Sequence, residues 1–385
     1  MTIEPKSEPK NELKKIMIVT GTRAEFGLLR PVMYAVHAQE NCELRVVVAG
    51  SHLVQPAVTF REVKAEFGIA DTIPMQTAGQ VGRLADVESL GKGISRFGRS
   101  LEMNDPDCVV VLGDRIEAFA AASAASIGGY PLVHIHGGDR AEGVADEAMR
   151  HAITKMANVH FPATQTSVER IIKMGEDPAC VHMVGSSSID GLDEIPPMGD
   201  GAFAEIGSPE VVVLMHPVGR DDADEQAAME AVLQAMSDKR VLVLHPNLDP
   251  GRRGIMAAIE SAPIDVQVVP QLVRTQFIGL LKRIGSAGGA LVGNSSAGLI
   301  ECSAIGCPSV DIGDRQSGRE RCDGWTKHAQ EDSSSIRGAF ETITHADCAR
   351  SAHPYGDGQT GERIAAILAD IDFSAPSMVR KHCAY

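Results

Sequence analysis

Acidic and histidine side chains stand at or near the ends of several apolar runs of this sequence. Asp114 follows CVVVL, His136 closes LVHIH and His216 follows VVVLM, while the neighbouring acids Asp146 and Glu147 follow the glycine-rich HIHGGD. Histidine exchanges protons near neutral pH, and a positioned carboxylate can serve as its partner acid or base. The set predicts a catalytic site that moves protons, although a lone histidine or an ion pair at a helix start is more often structural.

Three loops carry small residues, positive charge or both, which are the features that bind phosphate. Arg23 lies in GTRAEFG at the first strand-to-helix turn, and GNSSAG follows a later strand. Backbone N–H groups approach phosphate oxygens closely where side chains are small, and arginine adds a positive fork. An ordinary turn with an exposed arginine would explain the first loop equally well, and no G-K-[ST] follows GNSSAG, so it is not a Walker loop. The residues assigned to phosphate binding are Arg23, Gly293, Ser295, Ser296 and, in GDRQSGRER, Arg315 and Arg319.

Two pairs of charged residues follow HIHGGD at helical spacing. Asp146 precedes Arg150, and Glu147 precedes His151, by four residues, so each pair shares one face of a helix. Surface helices use the same spacing for solvated pairs, but the glycine-rich loop upstream favours a functional interpretation. Glu301, which follows GNSSAG, is placed to accept hydrogen bonds from a ribose.

No metal or organic cofactor is expected. The ligand spacings H-x-x-x-H and H-E-x-x-H are absent, and the eight cysteines stand singly rather than in C-x-x-C pairs. Several cysteines lie in apolar runs, such as Cys108 before VVV. We therefore expect reduced and mostly buried thiols.

Short β-branched runs alternate with longer amphipathic stretches, which is typical of parallel sheets covered by helices. We predict two doubly wound, Rossmann-type α/β domains at 15–190 and 209–385, with their loops facing a shared cleft. Residues 1–14 are predicted to form a disordered extension and the Gly-, Pro- and acid-rich 191–208 a linker, while the last helix could pack on either domain. The predicted strands are 15–20, 43–49, 108–112, 131–135, 181–184, 211–215, 240–244, 265–269, 290–292 and 309–312. The predicted helices are 28–39, 116–127, 144–158, 224–236, 275–283, 297–305 and 362–371.

The bulk composition argues against two classes of partner. The formal net charge of −15 argues against nucleic acid, which requires concentrated positive charge. No apolar run reaches the roughly 18 residues that span a bilayer, and the polar start does not resemble a signal peptide. We expect a cytoplasmic protein with no membrane partner, in which any anionic ligand binds a locally positive pocket.

Together these motifs resemble the hydrolysing UDP-N-acetylglucosamine 2-epimerases of sialic-acid and legionaminic-acid biosynthesis. The resemblance runs from about residue 15 to residue 321 and keeps the family's motif order. Its carriers are GTRAEFGLL, VVVLGDR, HIHGGD, DEAMRHAITKMA, MHP, HPNLDPG, GNSSAGLIE and IGDRQSGRER. Each motif alone is weakly specific, whereas the ordered set is specific.

The resemblance implies a GT-B-like fold, an active site in the interdomain cleft and a homodimer or homotetramer. It implies that UDP-N-acetylglucosamine, or a related UDP- or GDP-linked amino sugar, is converted to the free manno-configured sugar and the nucleoside diphosphate. Arg23 and the Ser295–Ser296 loop would hold the diphosphate between Arg315 and Arg319, and Glu301 would bind the ribose. The implied proton-transfer residues are Asp114, Asp146 or Glu147, and His216, with Arg115, Arg150 and Asn247 on the sugar.

Two departures from the family pattern keep the acid–base assignment of one loop open. His136 stands where some relatives carry an acid, and Asp139 stands where a glutamate is frequent. A non-hydrolysing epimerase is the nearest alternative, and the GTRAEFG and MHPV forms of the motifs favour the hydrolysing branch. A glycosyltransferase would use the same diphosphate loop. A nucleotide-sugar sensor without turnover would not require Asp114, Glu147 and His216.

Overall fold

Two six-stranded parallel sheets form the framework of the protein. The computed structural model describes residues 13–55, 58–80, 82–140, 147–247, 249–262, 266–343, 353–379, 381 and 384. The first sheet has the strand order β3-β2-β1-β4-β5-β6. Its strands are β1 Lys14–Thr20, β2 Cys42–Ala49, β3 Ile69–Ile73, β4 Cys108–Leu112, β5 Leu132–Ile135 and β6 Val159–Phe161.

The second sheet repeats this topology. Its order is β12-β11-β10-β7-β8-β9, which is the same winding as in the first sheet. Its strands are β7 Val211–Leu214, β8 Val241–Leu244, β9 Gln267–Val269, β10 Ala290–Gly293, β11 Ser309–Ile312 and β12 Thr326–Ala329. These two doubly wound sheets confirm the predicted α/β class with two Rossmann-type units.

Helices connect the strands. They are α1 Arg23–His37, α2 Phe60–Glu66, α3 Arg83–Asn104, α4 Ile116–Gly128, α5 Glu147–Met156, α6 Gln165–Lys173, α7 Asp200–Glu205, α8 Asp222–Ala235, α9 Arg252–Glu260, α10 Arg274–Ser286, α11 Glu301–Ile305, α12 Ser333–Thr342, α13 Thr360–Asp370 and α14 Pro376–Val379. No helix in the described ranges is long and apolar enough to cross a membrane.

The central strands are buried on both faces. In β1, Ile16 and Ile18 pack into one apolar cluster, whereas Met17 and Val19 pack into the cluster on the opposite face. A strand covered on both sides needs a continuous apolar run, and β-branched residues fit its pleated surface. The run CVVVL therefore becomes β4 with every residue buried.

The winding of each sheet reverses between two neighbouring strands, β1 and β4 in the first and β7 and β10 in the second. Loops leaving the carboxyl ends of such strands diverge and open a crevice, where ligands of doubly wound sheets bind. The motif loops GTRAEFG, GDR, MHPV and GNSSAG all leave these four strands.

The chain returns to the first sheet at its carboxyl end. Helix α13 packs on α1, and Lys14 Nζ donates to the backbone oxygen of Ile371 at 2.6 Å. The segment at 191–208 contains α7, and within it Met198 N donates to Gly279 O of α10 at 2.8 Å. The connection between the sheets is thus fixed against the second one.

Some local predictions were wrong. The strand predicted at 181–184 is absent, since Val181 forms only an isolated bridge to His160, and the edge strand is β6. The prediction also missed the strands β3, β6 and β12 and the helices α2, α3, α6, α7, α9, α12 and α14. The helix predicted at 297–305 begins at Glu301, after a single 3₁₀ turn, Ser296–Gly298.

Candidate active site

Arg23 is the first residue of α1. Thr22 caps this helix by accepting a hydrogen bond from Glu25 N at 3.2 Å, which fixes where the helix starts. The Arg23 guanidinium lies 3.2 Å from the Glu62 carboxylate, and its side chain is partly exposed. A helix start with a positive side chain is suited to an anion.

Asp114 and Arg150 form a buried ion pair between the β4 loop and α5. The Arg150 Nη2 donates to Asp114 Oδ2, and its Nη1 donates to the backbone oxygen of Asp139 at 3.0 Å. Burial, and then the positive charge of Arg319, lower the pKa of Arg150 to about 9. Arg150 therefore fixes the position of Asp114 relative to the HIHGGD loop.

His136 is held in an unusual backbone conformation, with φ of +62°. Its Nδ1 lies 3.9 Å from Asp139 Oδ2, and Ser167 Oγ donates to the other oxygen of Asp139 at 2.8 Å. Burial lowers the pKa of His136, Asp139 opposes this and Arg319 adds to it. Its Nε2 is buried and has no hydrogen-bond partner among the described residues. A neutral imidazole with a free nitrogen is a suitable proton carrier.

Glu147 opens α5, and one of its oxygens lies 3.3 Å from His151 Nε2. The same oxygen accepts from Arg140 Nε at 3.4 Å. The four-residue spacing therefore does produce a contact on one helix face. Asp146 lies outside the described residues, and Arg150, its expected partner, binds Asp114.

His216 follows β7 and is neutral. Its Nδ1 accepts a hydrogen bond from Asn247 N at 3.2 Å, which leaves the proton on Nε2. Burial, and then the positive charge of Arg315, lower the pKa of His216 to about 3. The negative charge of a bound diphosphate would raise this pKa.

Asn294 ties three loops of the second sheet together. Its side-chain amide accepts from His216 N at 2.7 Å and donates to His216 O at 2.8 Å. Its backbone oxygen accepts from Arg315 Nη1 at 3.1 Å and from Gln316 Nε2 at 2.9 Å. One residue of GNSSAG therefore fixes the positions of His216 and of the loop GDRQSGRER (313–321), the arginine loop.

The backbone of GNSSAG requires small residues. A Cβ at Gly293 would lie 2.1 Å from Leu214 O, so this position requires glycine. Ser295 Oγ accepts from Ala297 N at 3.4 Å, and Ser296 opens the 3₁₀ turn. The loop thus presents two hydroxyls at the carboxyl edge of β10.

Glu301 is largely buried and lies 3.6 Å from the Arg274 guanidinium. Burial raises the pKa of Glu301, and Arg274 lowers it. Arg274 also donates to the backbone oxygen of Ser188, in the segment that joins the two sheets. The residue assigned to the ribose is therefore linked to the interdomain connection.

The arginine loop reaches across the cleft. The positive charge of Arg319 lowers the pKa of both His136 and Arg150, which belong to the first half of the chain. In the same interface Arg170 Nη2 donates to Gly318 O at 2.7 Å. Arg115, in the loop after β4, extends from the first half to the second, where its Nη1 lies 3.6 Å from Asp249 Oδ1. Residues of both halves therefore meet in one cleft.

Comparison with known proteins identifies the family of the chain. A profile of the UDP-N-acetylglucosamine 2-epimerase family matches residues 34–369, which is most of the chain. The chain belongs to that family. A UDP-N,N'-diacetylbacillosamine 2-epimerase (hydrolyzing) of Legionella pneumophila is 33% identical over 371 residues, covering 93% of this chain and 96% of the relative. A UDP-N-acetylglucosamine 2-epimerase of Neisseria meningitidis is 29% identical over 80% of this chain and 81% of its own.

Solved structures of the epimerase family share the fold. The Neisseria meningitidis UDP-GlcNAc 2-epimerase bound to UDP-GlcNAc superposes with a TM-score of 0.77 at 20% identity, over 92% of this chain and 99% of that one. A Listeria monocytogenes putative UDP-N-acetylglucosamine 2-epimerase gives the same score and identity, over 92% and 96%. The GT-B-like arrangement predicted from the motifs is confirmed.

In this family member, sequence reasoning missed several supporting residues. Asn294 and Gln316 lie inside recognised motifs, so their position was a usable signal. Arg274 lies in LVRTQF, where nothing in the sequence marks it. Among the described residues, no group of three or more His, Cys, Asp or Glu could hold a metal ion. Five of the described cysteines are free thiols, namely Cys42, Cys108, Cys180, Cys302 and Cys307.

Proposed function

We propose that the protein catalyses hydrolytic 2-epimerisation of a nucleotide-linked 2-acetamido sugar. UDP-N-acetylglucosamine, or a related UDP- or GDP-linked 2-acetamido or 2,4-diacetamido sugar, would yield the free manno-configured sugar and the nucleoside diphosphate. The relation to the hydrolysing Legionella pneumophila enzyme over nearly the whole chain supports this choice.

The observation that carries the proposal is the contact between the arginine loop and the first half of the chain, where Arg170 Nη2 donates to Gly318 O at 2.7 Å, next to Arg319 in the sequence. It brings positive charge from the second sheet against the acid–base groups of the first. A reaction that expels a diphosphate while moving a proton needs both of these together.

The binding roles follow from the loops. Arg23, Ser295 and Ser296 would hold the diphosphate, with Arg315 and Arg319 on its flanks and Gly293 allowing close approach. Glu301 would accept hydrogen bonds from the ribose. The residues assigned to the sugar are Arg115, Arg150 and Asn247.

The first chemical stage is an elimination. A base takes the proton from C2 as the C1–O bond to the diphosphate breaks, and the electrons of the C2–H bond form the C1–C2 double bond. The candidate bases are Asp114, Glu147 and His136, which lie on the first-sheet side, and Asp146, which lies outside the described residues. Arginines stabilise the charge that develops on the departing diphosphate.

The second stage adds water across the double bond. Hydroxide adds to C1, and a proton is delivered to C2 on the face opposite to the one that lost it, which inverts C2. His216, once the diphosphate has raised its pKa, is a suitable donor through Nε2. Closure of the cleft would exclude bulk water from the intermediate.

Proton NMR in heavy water tests the proposal directly. Purified protein with UDP-N-acetylglucosamine should yield free UDP and N-acetylmannosamine that carries deuterium at C2. If this sugar is inert, a UDP- or GDP-linked diacetamido sugar should react in the same way. An intact nucleotide sugar with inverted C2 would indicate the non-hydrolysing branch, and no turnover of any of these sugars would refute the proposal. The family resemblance also favours a homodimer or homotetramer, which sedimentation velocity tests.

A further inference from the structure

Two buried carboxyl groups lie behind the GTRAEFG loop and have no part in the reaction described above. Glu25 of α1 is 6% exposed and Glu117 of α4 is 1% exposed. Gly21 N donates to Glu25 Oε2 at 3.0 Å. Each side chain comes from the helix that follows a strand at the winding reversal, so the pair lies beneath both β1 and β4 loops.

Glu117 contacts three loops of the first half, those that contain Gly21, Gly50 with Ser51, and Gln76. Its Oε1 accepts from Ser51 N at 3.3 Å and from Gln76 Nε2 at 2.6 Å. A Cβ added at Gly21 would lie 2.4 Å from Glu117 Cβ, and one at Gly50 would lie 2.3 Å from Glu117 Cγ. The glutamate side chain therefore fills the space that these two glycines leave, and the loops are packed directly on it.

One carboxylate oxygen of the pair lacks a hydrogen-bond donor. Glu117 Oε2 is buried and has no hydrogen-bond partner among the described residues. An ionised carboxylate without a donor is costly in a buried site, and two neighbouring carboxylates repel each other. A single proton bound by the pair would supply the missing donor and remove one charge.

The surrounding charges fit a pair with one negative charge. Arg115, in the loop before α4, is close enough to favour the ionised form of Glu25. His52, beside the pair in the turn after β2, donates its backbone N–H to Gly21 O at 3.2 Å. Burial lowers the pKa of His52 to about 4, so it is neutral at pH 7. Arg23 at the loop surface is paired with Glu62.

We propose that Glu25 and Glu117 share one proton and act as a positioning pair, which holds the 21–23 loop and Arg115 in the geometry that binds the diphosphate. The inference rests on the proposed function for the identity of the ligand. Burial, and then the charge of Glu117, raise the pKa of Glu25 to about 8. The proton is therefore present at pH 7 and is lost as the pH rises through about 8.

Loss of the proton has two consequences. A second negative charge then appears behind the diphosphate site and weakens anion binding. The folded protein also loses stability as the pH rises from the ordinary glutamate value towards about 8, because the folded state binds this proton more tightly than the unfolded chain. Glu25→Gln mimics the protonated acid and should remove both effects.

The experiment compares Glu25→Gln with Glu88→Gln, which removes one charge from the exposed face of α3. UDP binding is measured by calorimetry, and the thermal midpoint is recorded, at pH 6 to 9. Between pH 7 and pH 9, we expect the UDP affinity of the control Glu88→Gln to fall several-fold more than that of Glu25→Gln. The thermal midpoint of Glu88→Gln should also fall more steeply with pH. Equal pH dependence in the two variants would overturn the proposal.

Two further measurements separate this pair from the proposed function. The infrared spectrum in heavy water at pH 7 should contain a protonated-carboxyl band that Glu88→Gln retains and that Glu25→Gln lacks. If the control binds no UDP at any pH, the proposed function fails, and the infrared band still decides whether the proton exists. Glu117→Ala should weaken UDP binding at least tenfold if the loop depends on it, whereas the shape-preserving Glu117→Gln should weaken it less. Full UDP affinity in a folded Glu117→Ala variant would refute the positioning role.

Discussion

His216 shows how a single contact can define a protonation state. Its Nδ1 is occupied by Asn247 N–H, and its backbone is clamped on both sides by the Asn294 amide. The imidazole therefore presents Nε2 with little freedom. In the proposed reaction, such restraint would keep the donor within reach of the reacting carbon.

We predict that His216→Asn lowers kcat by about 10²–10⁴-fold, the usual contribution of a general acid or base. The asparagine oxygen can replace Nδ1 as the acceptor from Asn247 N, whereas Nε2 is lost. UDP affinity should therefore change little. Steady-state kinetics with calorimetry of UDP separates the two quantities, and an unchanged kcat would exclude His216 from proton transfer.

The arginine loop is an element whose shape depends on a buried anchor. Asp311 is the acid of β11 and is 1% exposed. It accepts hydrogen bonds from Arg321 Nε at 2.9 Å and from Arg321 Nη2 at 2.5 Å. The sequence places three arginines on this loop, and this contact directs Arg321 to the sheet. Arg315 and Arg319 lie between Asn294 and this anchor.

Asp311→Asn should lower the free energy of unfolding by about 1–3 kcal/mol, since it leaves a partly exposed arginine without its buried partner. The loop then loses its fixed end, so UDP should also bind more weakly. Guanidinium unfolding and calorimetry give the two values. Asp323→Asn, at an exposed position of the same segment, should change neither, and equal effects in both variants would contradict the anchor role.

The chain closes on itself through its last described segment. Tyr355 donates through its hydroxyl to Glu320 O at 2.8 Å, next to Arg319, and its own backbone oxygen accepts from Ser186 N at 2.7 Å. The following helix α13 packs on α1, which begins at Arg23. One segment therefore contacts the interdomain connection, the arginine loop and the helix of the first phosphate loop.

Gly361→Ala tests this closure. Its Cβ would lie 2.7 Å from the backbone oxygen of Pro31, so α13 must move away from α1. We expect a loss of about 1–3 kcal/mol in the free energy of unfolding, as for other overpacked sites. Gly338→Ala in α12, where a Cβ meets open space, should instead add about 0.5–1 kcal/mol. A gain in both variants would show that the close packing of α13 contributes little.

Sequence alone was sufficient for the framework of both sheets. The strands 108–112 and 309–312 match β4 and β11 at both ends, because central strands buried on two faces need unbroken apolar runs. Edge strands leave no such record. In β12 two of four residues are exposed, and β3 alternates, so their patterns merge with those of loops. Helix α3 was missed because its glycines and charges dilute its apolar stripe.

The sequence also located every motif loop at a strand end, because spacing along the chain is a local property. It could not decide partners across the fold. It gave no sign that Arg150 of α5 binds Asp114 of the β4 loop. It also gave no sign that Arg170 contacts Gly318 or that Glu25 and Glu117 both pack on Gly21. These contacts join residues far apart in the chain, and only the winding of the two sheets brings them within reach of one another.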